Sequence, residues 1–444
     1  MNHTATSKPH FGGNLNLILV ATMTVTDIAR GIRIIARCHE IAAASEVPNE
    51  ITRTFLSPQM HQVHALVRGW MEAAGMTVRV DGIGNLRGLW RGRKTDSPRL
   101  IIGSHLDTVP NAGAFDGILG VVLGVALVEE LRAQRLPFAI EVIGFSEEEG
   151  VRFAKPFLGS LALVGRLDGD LLALKDAYDV TVEDSIRTFG LDPADIPAAK
   201  LSAQAFAYLE FHIEQGPVLE SEDKALGIVD AIAGQTRLLA IFIGEANHAG
   251  TTPMKLRHDA MSAAAEWIVA VERIASEHEG LVATVGKVEA RPGAGNVIPG
   301  EVSATLDLRH AADGTRLAAL DEILRHARQS SQLRGVFFRF VTILDQAAVT
   351  MNVRLTKTLE KAAILAGTKP VRMVSGAGHD AMIVAPSVPS AMLFLRSPGG
   401  VSHHPDETVL AEDVEAAIAT GLEFLKLLEK DRSLTNASPK DENA

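Results

Sequence analysis

Residues 100–153 constrain this chain more than any other stretch. Two apolar, β-branched runs, 100–103 and 139–145, have the composition of buried parallel strands. Each ends on acid or imidazole side chains: His105 and Asp107 after the first, then Glu147, Glu148 and Glu149 after the second. Between them Asp116 stands just before a helix whose apolar residues include Ile118, Val121, Val122, Val125, Leu127 and Leu131. Ligands of open α/β sheets collect at the carboxyl ends of strands. One β-α-β unit therefore delivers His, Asp and adjacent Glu side chains to a single edge. The simplest chemistry for that set is a divalent metal site with one carboxylate left over to move protons.

A chain of 444 residues predicts two or three domains, and 47% hydrophobic residues suffice for substantial cores. Lys and Arg number 43 against 54 Asp and Glu, a net charge of −11 with no basic block, so nucleic acid is not the expected partner. The single cysteine, Cys38, excludes internal disulfides and Cys-rich metal sites and suits a reducing compartment; a cytoplasmic location is expected. Residues 14–23 form a short apolar run, too short to span a bilayer, and no other segment resembles a transmembrane helix. Residues 1–23 read as a disordered extension; a signal peptide is the alternative, weakened by its poor basic end. The polar tail, 433–444, also reads as disordered.

In chain order, a first catalytic segment spans 24–234, with strands at 76–80, 85–91 and 207–213 besides the opening pair. Residues 235–346 change pattern to strand 237–244, helix 259–276, strands 281–289 and 301–309, helix 314–333 and strand 336–344. That β-α-β-β-α-β order fits an inserted ferredoxin-like α+β unit of about 110 residues. The α/β pattern then resumes over 347–432. The expected fold class is thus α/β: a mostly parallel sheet flanked by helices, interrupted by an inserted α+β lid or dimerisation domain.

Three further pieces resemble the opening cluster: His212 with Glu214 and Gln215, His379-Asp380, and Ser402-His403-His404. Each alone has a bland reading. His105 could be structural, the glutamate run a solvated loop, and His212 the cap of a strand end. Asp116 could be an ordinary helix N-cap, and His403-His404 a surface pair. Independent accidents, however, would not keep landing at the carboxyl ends of strands.

The motifs G-S-H-L-D-T-V, Asp116, E-E-G-x-R-F, H-I-E-Q-G-P, H-A-G-T-T-P-M-x-x-R-x-D-A, G-A-G-H-D-A and S-H-x-P-D-E follow in that order. Together they resemble the hydantoinase/carbamoylase family of dinuclear metal amidohydrolases, within the clan of aminoacylases and glutamate carboxypeptidases. The family includes allantoate amidohydrolases, N-carbamoyl-L-amino-acid hydrolases and β-ureidopropionases, and the likeness covers roughly residues 26–430. It implies that Asp116 bridges two divalent metal ions, zinc or manganese, with cobalt or nickel also acceptable to such a shell. His105 and His212 would complete one site, Glu149 and His403 the other, and Glu148 would be the general base. Glu147 is left as an extra carboxylate and His404 is the competitor of His403. Asp107 is placed to accept the second ring N–H of His105.

The same resemblance assigns Arg309 to a bidentate grip on a substrate carboxylate and Gln215 to a ureido group. His248 and Asn296 would stabilise the oxyanion, in their own chain's site or in a neighbour's. His379-Asp380 would lie just behind the metals. The implied reaction is hydrolysis of a linear C–N bond in a small-molecule ureido or amide carboxylate, allantoate or an N-carbamoyl-L-amino acid, releasing ammonia and carbon dioxide. The partner expected is a second copy, docked through the inserted domain, and no membrane. The alternatives are an N-acyl-amino-acid amidohydrolase or metallopeptidase of the same clan, and a scaffold protein that lost the chemistry.

Overall fold

The computed structural model describes residues 25–132 and 134–431. The expected extension at 1–23 and tail at 433–444 lie outside the described residues. A nine-stranded sheet organises most of the chain. Its middle is parallel: Arg99–His105 lies between Ala139–Phe145 and Ala205–Ile213, and Ser390–Leu395 continues on the far side of Ala205–Ile213. Antiparallel neighbours flank it, Leu86–Trp90 on one side and Leu226–Ile232 on the other.

Apart from Arg99 the middle strands are buried throughout, which is why their sequences are mostly apolar instead of alternating; the buried Glu141 and Glu210 are exceptions, with Glu141 paired to Arg87 and Arg99. Helix Ile118–Leu131 crosses between the first two parallel strands and is itself buried on nearly every side. Gly120 makes that close approach possible, since a Cβ there would stand 2.2 Å from the Phe211 carbonyl oxygen. Helices Val25–Ala42, Val353–Leu365 and Ala411–Lys430 pack around this layer.

Strand Leu226–Ile232 is absent from the expectations above, and the predicted strand at 281–289 is two strands, Val282–Thr284 and Val288–Arg291. The latter two pair with Glu301–His310, which pairs with Gly234–Ile243, which pairs with Phe337–Gln346. That sheet order is the one a β-α-β-β-α-β sandwich produces. Helices Ala260–Glu277 and Asp313–Leu333 cover one face, around Trp267, Phe242, Ile274 and Ile323. On the opposite face the period-two pattern brings out Gln235, Arg237, Thr305, Asp307 and Arg309, which look toward the carboxyl ends of the large sheet. Among the described residues, no helix is long and apolar enough to cross a membrane.

Candidate metal centre and substrate cleft

The strand ends place His105, Glu148, Glu149 and His212 around Asp116, and the loop after Ser390–Leu395 adds His403. Asp116 precedes a helix whose N-cap position is Gly117, and its carboxylate makes no capping bond, so the N-cap reading fails. One donor set is His105, Asp116 and His212; a second is Asp116, Glu149 and His403; a third is His105, Glu148 and Glu149. Ligand atoms within each set lie within 4.8 Å of one another. His212 Nε2 stands 3.2 Å from Asp116 Oδ1, and His403 Nε2 stands 3.2 Å from Asp116 Oδ2. Asp116 therefore turns one oxygen to each side.

The donors fit divalent cations. His105 Nδ1 is 3.0 Å from the Asp107 carbonyl and His212 Nδ1 is 3.0 Å from the Ile213 carbonyl. A carbonyl only accepts, so each Nδ1 carries a proton and each Nε2 faces the cluster, where a bound cation would take its lone pair. Asp116 Oδ1 and His212 Nε2 are buried without a hydrogen-bond partner, atoms that a cation would satisfy.

Electrostatics say the same. Burial opposes charge on His105, yet the carboxylates of Asp107, Asp116 and Glu148 hold its imidazole well above the ordinary range. Burial also opposes ionised Asp116, but His105, His403 and His212 hold it well below. His212 goes the other way, down to about 4, because burial dominates there. One imidazole thus takes the proton while its neighbour stays neutral. Burial, then the Asp116 charge, pushes Glu149 up to about 7. Burial lifts Glu148 well above the usual carboxyl range. Hydrogen bonding to Asp116 raises His403 to about 9. Protons here do what divalent cations would do better.

The carboxylate of Asp107 stands 3.4 Å from His105 Nδ1, the neighbour it was expected to have, and it does a second job as well. Its two oxygens accept the backbone N–H groups of Glu148 (3.0 Å) and Glu149 (3.1 Å), while its main-chain carbonyl orients His105. Asp107 thus pins the glutamate pair in place. Glu147 turns away to accept the Gly150 N–H, and exposed His404 faces Asp406, so neither joins the cluster. His379 packs edge-on against His212 with ring centroids 4.4 Å apart, its Nε2 held by Ser375 Oγ at 2.8 Å. Burial keeps this imidazole neutral.

A cavity of about 750 Å³ opens on the cluster and is also lined by Gln215, Gln235, Arg237 and Arg309. Gln215 adopts a left-handed backbone (φ 60) and donates its amide to Asp116 Oδ2 at 2.9 Å. His403 is left-handed too (φ 55), so two cluster residues hold strained backbone. Arg309 is less free than expected. Its Nε and Nη2 donate to the Asp307 carboxylate (2.8 Å each) and its Nη1 donates across the cleft to the Gly376 carbonyl at 2.6 Å. Asp307 also accepts from Arg237 Nε and Gln235 Nε2. A substrate carboxylate would meet the remaining outer hydrogens of Nη1 and Nη2 or displace the Gly376 bond.

His248 and Asn296 are not among the residues lining this cavity. They lie together on a small ladder, Asn247–His248 against Val297–Ile298, with the Ala249 N–H bonded to the Asn296 carbonyl. His248 is exposed, and its Nδ1 accepts from the Gly250 and Thr251 N–H groups, which leaves the proton on Nε2. Two residues went unassigned from the sequence. Asp307 had a signal, since residues two apart on a strand share a face. Glu407, which accepts the N–H groups of Phe115 and Asp116, had only its place in the S-H-x-P-D-E motif.

Comparison with known proteins shows the family and the fold. Residues 101–427 match the model of the family described as peptidase family M20/M25/M40. The chain is 39% identical to allantoate deiminase 1 of Glycine max over 428 residues, covering 89% of each. It is 36% identical to the N-carbamoyl-L-amino acid amidohydrolase of Geobacillus stearothermophilus, covering 89% of this chain and 97% of that protein. Among solved structures it resembles an amidase of the hydantoinase/carbamoylase family from Burkholderia multivorans, with TM-score 0.84, 31% identity, and 89% and 97% of the two chains covered.

Proposed function

The chain belongs to peptidase family M20/M25/M40, and we propose that it is a metal-dependent amidohydrolase cleaving a linear C–N bond of a ureido carboxylate. Allantoate is the first substrate and an N-carbamoyl-L-amino acid the second, in keeping with the names of its relatives. The observation that carries the reading is the pair of donor sets sharing Asp116, with Glu148 beside them. In this reading His105 and His212 would hold one divalent ion and Glu149 and His403 the other, with Asp116 contributing to both. Such ions, zinc or manganese, would supply Lewis acidity and lower the pKa of the attacking water.

The remaining work falls to the protein's own side chains. Glu148 accepts a proton from the attacking water and returns it to the leaving nitrogen, a shuttle suited to a carboxyl whose pKa burial has raised. Gln215 orients the ureido group from its position against Asp116. Arg309, held by Asp307, anchors the carboxylate. The released carbamate decays to ammonia and carbon dioxide. His248 and Asn296 stabilise the developing oxyanion of a neighbouring subunit, since they do not line their own chain's cavity. The inserted unit is then both lid and dimer contact. Its edge strand Phe337–Gln346 exposes Phe337, Val341 and Ile343 along an unpaired ladder, which a second copy would cover. The setting proposed is cytoplasmic purine breakdown.

The test is ammonia release from allantoate, N-carbamoyl-L-amino acids and N-acetyl-L-amino acids after loading with manganese or zinc. Release from a ureido substrate, abolished by chelator, is the expected result. Turnover confined to N-acetyl or peptide substrates would move the protein to the aminoacylase or peptidase side of the clan. No turnover with metal bound would favour a scaffold.

A further inference from the structure

Two loops far apart in sequence carry Asp116, which the two proposed ions share, and His403, a ligand of one of them. One, ending at Asp116, follows strand Arg99–His105; the other, around His403, follows strand Ser390–Leu395. The strands themselves are separated in the sheet by Ala205–Ile213, so no ladder joins the loops. Glu407 joins them. Its Oε1 accepts the main-chain N–H groups of Phe115 and Asp116, both at 3.0 Å, and its Oε2 accepts from Ser402 Oγ at 3.3 Å. Its own N–H donates to the His404 carbonyl at 3.0 Å, closing the turn over 404–407 that directly follows His403. The side chain is 4% exposed. Gly113 packs onto it so closely that a Cβ there would fall 2.3 Å from Glu407 Cβ and 2.4 Å from Oε1. Yet Glu407 belongs to none of the three donor sets and does not line the cleft.

We propose that Glu407 is a positioning residue for the metal centre: by accepting the Phe115 and Asp116 N–H groups while holding Ser402, it locks the bridging carboxylate and His403 into one geometry. The inference rests on the metal reading above. Groups behind metal ligands contribute 10–100-fold to metal affinity when they set ligand geometry. The two N–H bonds, not the negative charge, are what the geometry needs. A carboxamide keeps an oxygen able to accept both, with its NH₂ turned to Ser402.

The experiment compares the full-length wild type with Glu407→Ala, Glu407→Gln and Gly113→Ala. Manganese affinity is measured by competition with a chelator, together with kcat, KM and the Tm of the metal-free proteins. Glu407→Ala is expected to lose 10–100-fold in affinity for at least one ion and to lower kcat at saturating metal, with KM within about threefold of wild type. Glu407→Gln is expected to stay within about threefold of wild type in affinity. Gly113→Ala keeps the charge but displaces the carboxylate, so it should behave like Glu407→Ala and serves if that variant does not fold. A variant set that lowers only the metal-free Tm, with wild-type affinity, overturns the proposal. So does Glu407→Gln as weak as Glu407→Ala, which would make charge the cause. Wild type that binds no metal would sink the parent reading instead.

Discussion

Gly117→Ala tests the centre without touching a proposed ligand. Gly117 sits at φ +68, and a Cβ there would lie 2.4 Å from His105 Cε1 and 2.5 Å from Cγ and Nδ1. Ordinary contact starts at 3.4 Å, so the ring must recede by 3.4 − 2.4 = 1.0 Å. It cannot do so freely, because Nδ1 is tied to the Asp107 carbonyl and the ring packs against His212 at 5.7 Å. Metal sites tolerate about ±0.2 Å in ligand distance, so a shift of this size should cost at least one ion. A misplacement of about 1 Å also costs on the order of 10²-fold in rate. The backbone at φ 68 and ψ −52, strained for any side chain, adds roughly 1–3 kcal/mol of destabilisation. Gly69→Ala is the control, since it meets nothing within 4 Å in the middle of helix Met60–Ala73. Metal content by elemental analysis, kcat/KM and Tm are compared for both. The control should keep its metals and activity and gain slightly in Tm. If Gly117→Ala keeps its full metal complement and kcat/KM within twofold, the placement of His105 as a ligand is wrong.

Other consequences follow from the same geometry. Glu148→Gln should keep its metals while kcat falls about 10²–10⁴-fold, as expected for a lost proton shuttle; a loss of metal instead would make Glu148 a ligand. Metal uptake requires a neutral His403 and an ionised Glu149, held at about 9 and about 7 in the metal-free protein, so apparent affinity should fall as pH drops from about 9 through 7, and calorimetry in two buffers should show proton release near neutrality. Pairing inactive Glu148→Gln with inactive His248→Ala should restore activity on subunit exchange if His248 serves a neighbour's site; no recovery in a proven mixed dimer refutes that.

Much of the fold was legible because buried parallel strands need largely apolar runs, and 139–145 and 390–395 are such runs, the first interrupted only by Glu141. Leu226–Ile232 was not, since Gly227 and Asp230 interrupt its pattern; Asp230 reaches the surface, where Arg372 pairs with it. The strand at 281–289 broke in two where its ladder with Glu301–His310 lapses between Thr284 and Val288. The cluster residues could be named because each lies at the carboxyl end of a strand or in the loop after one, positions that apolar patterning gives. What patterning cannot give is how a carboxylate spends its oxygens. Asp107 does lie beside His105, two residues away, but its oxygens also reach backbone at Glu148 and Glu149, which no spacing announces. Glu407 acts on a segment 291 residues distant. The bond from Arg309 to Gly376 depends on how the two sheets face each other, which no local signal encodes.

The most direct measurement is the anomalous scattering of the zinc- or manganese-loaded protein in a crystal. The account predicts two ions per chain, about 3.5–4 Å apart, both bound by Asp116, one also by His105 and His212 and the other by Glu149 and His403. A single ion, or two ions that do not share Asp116, would contradict it.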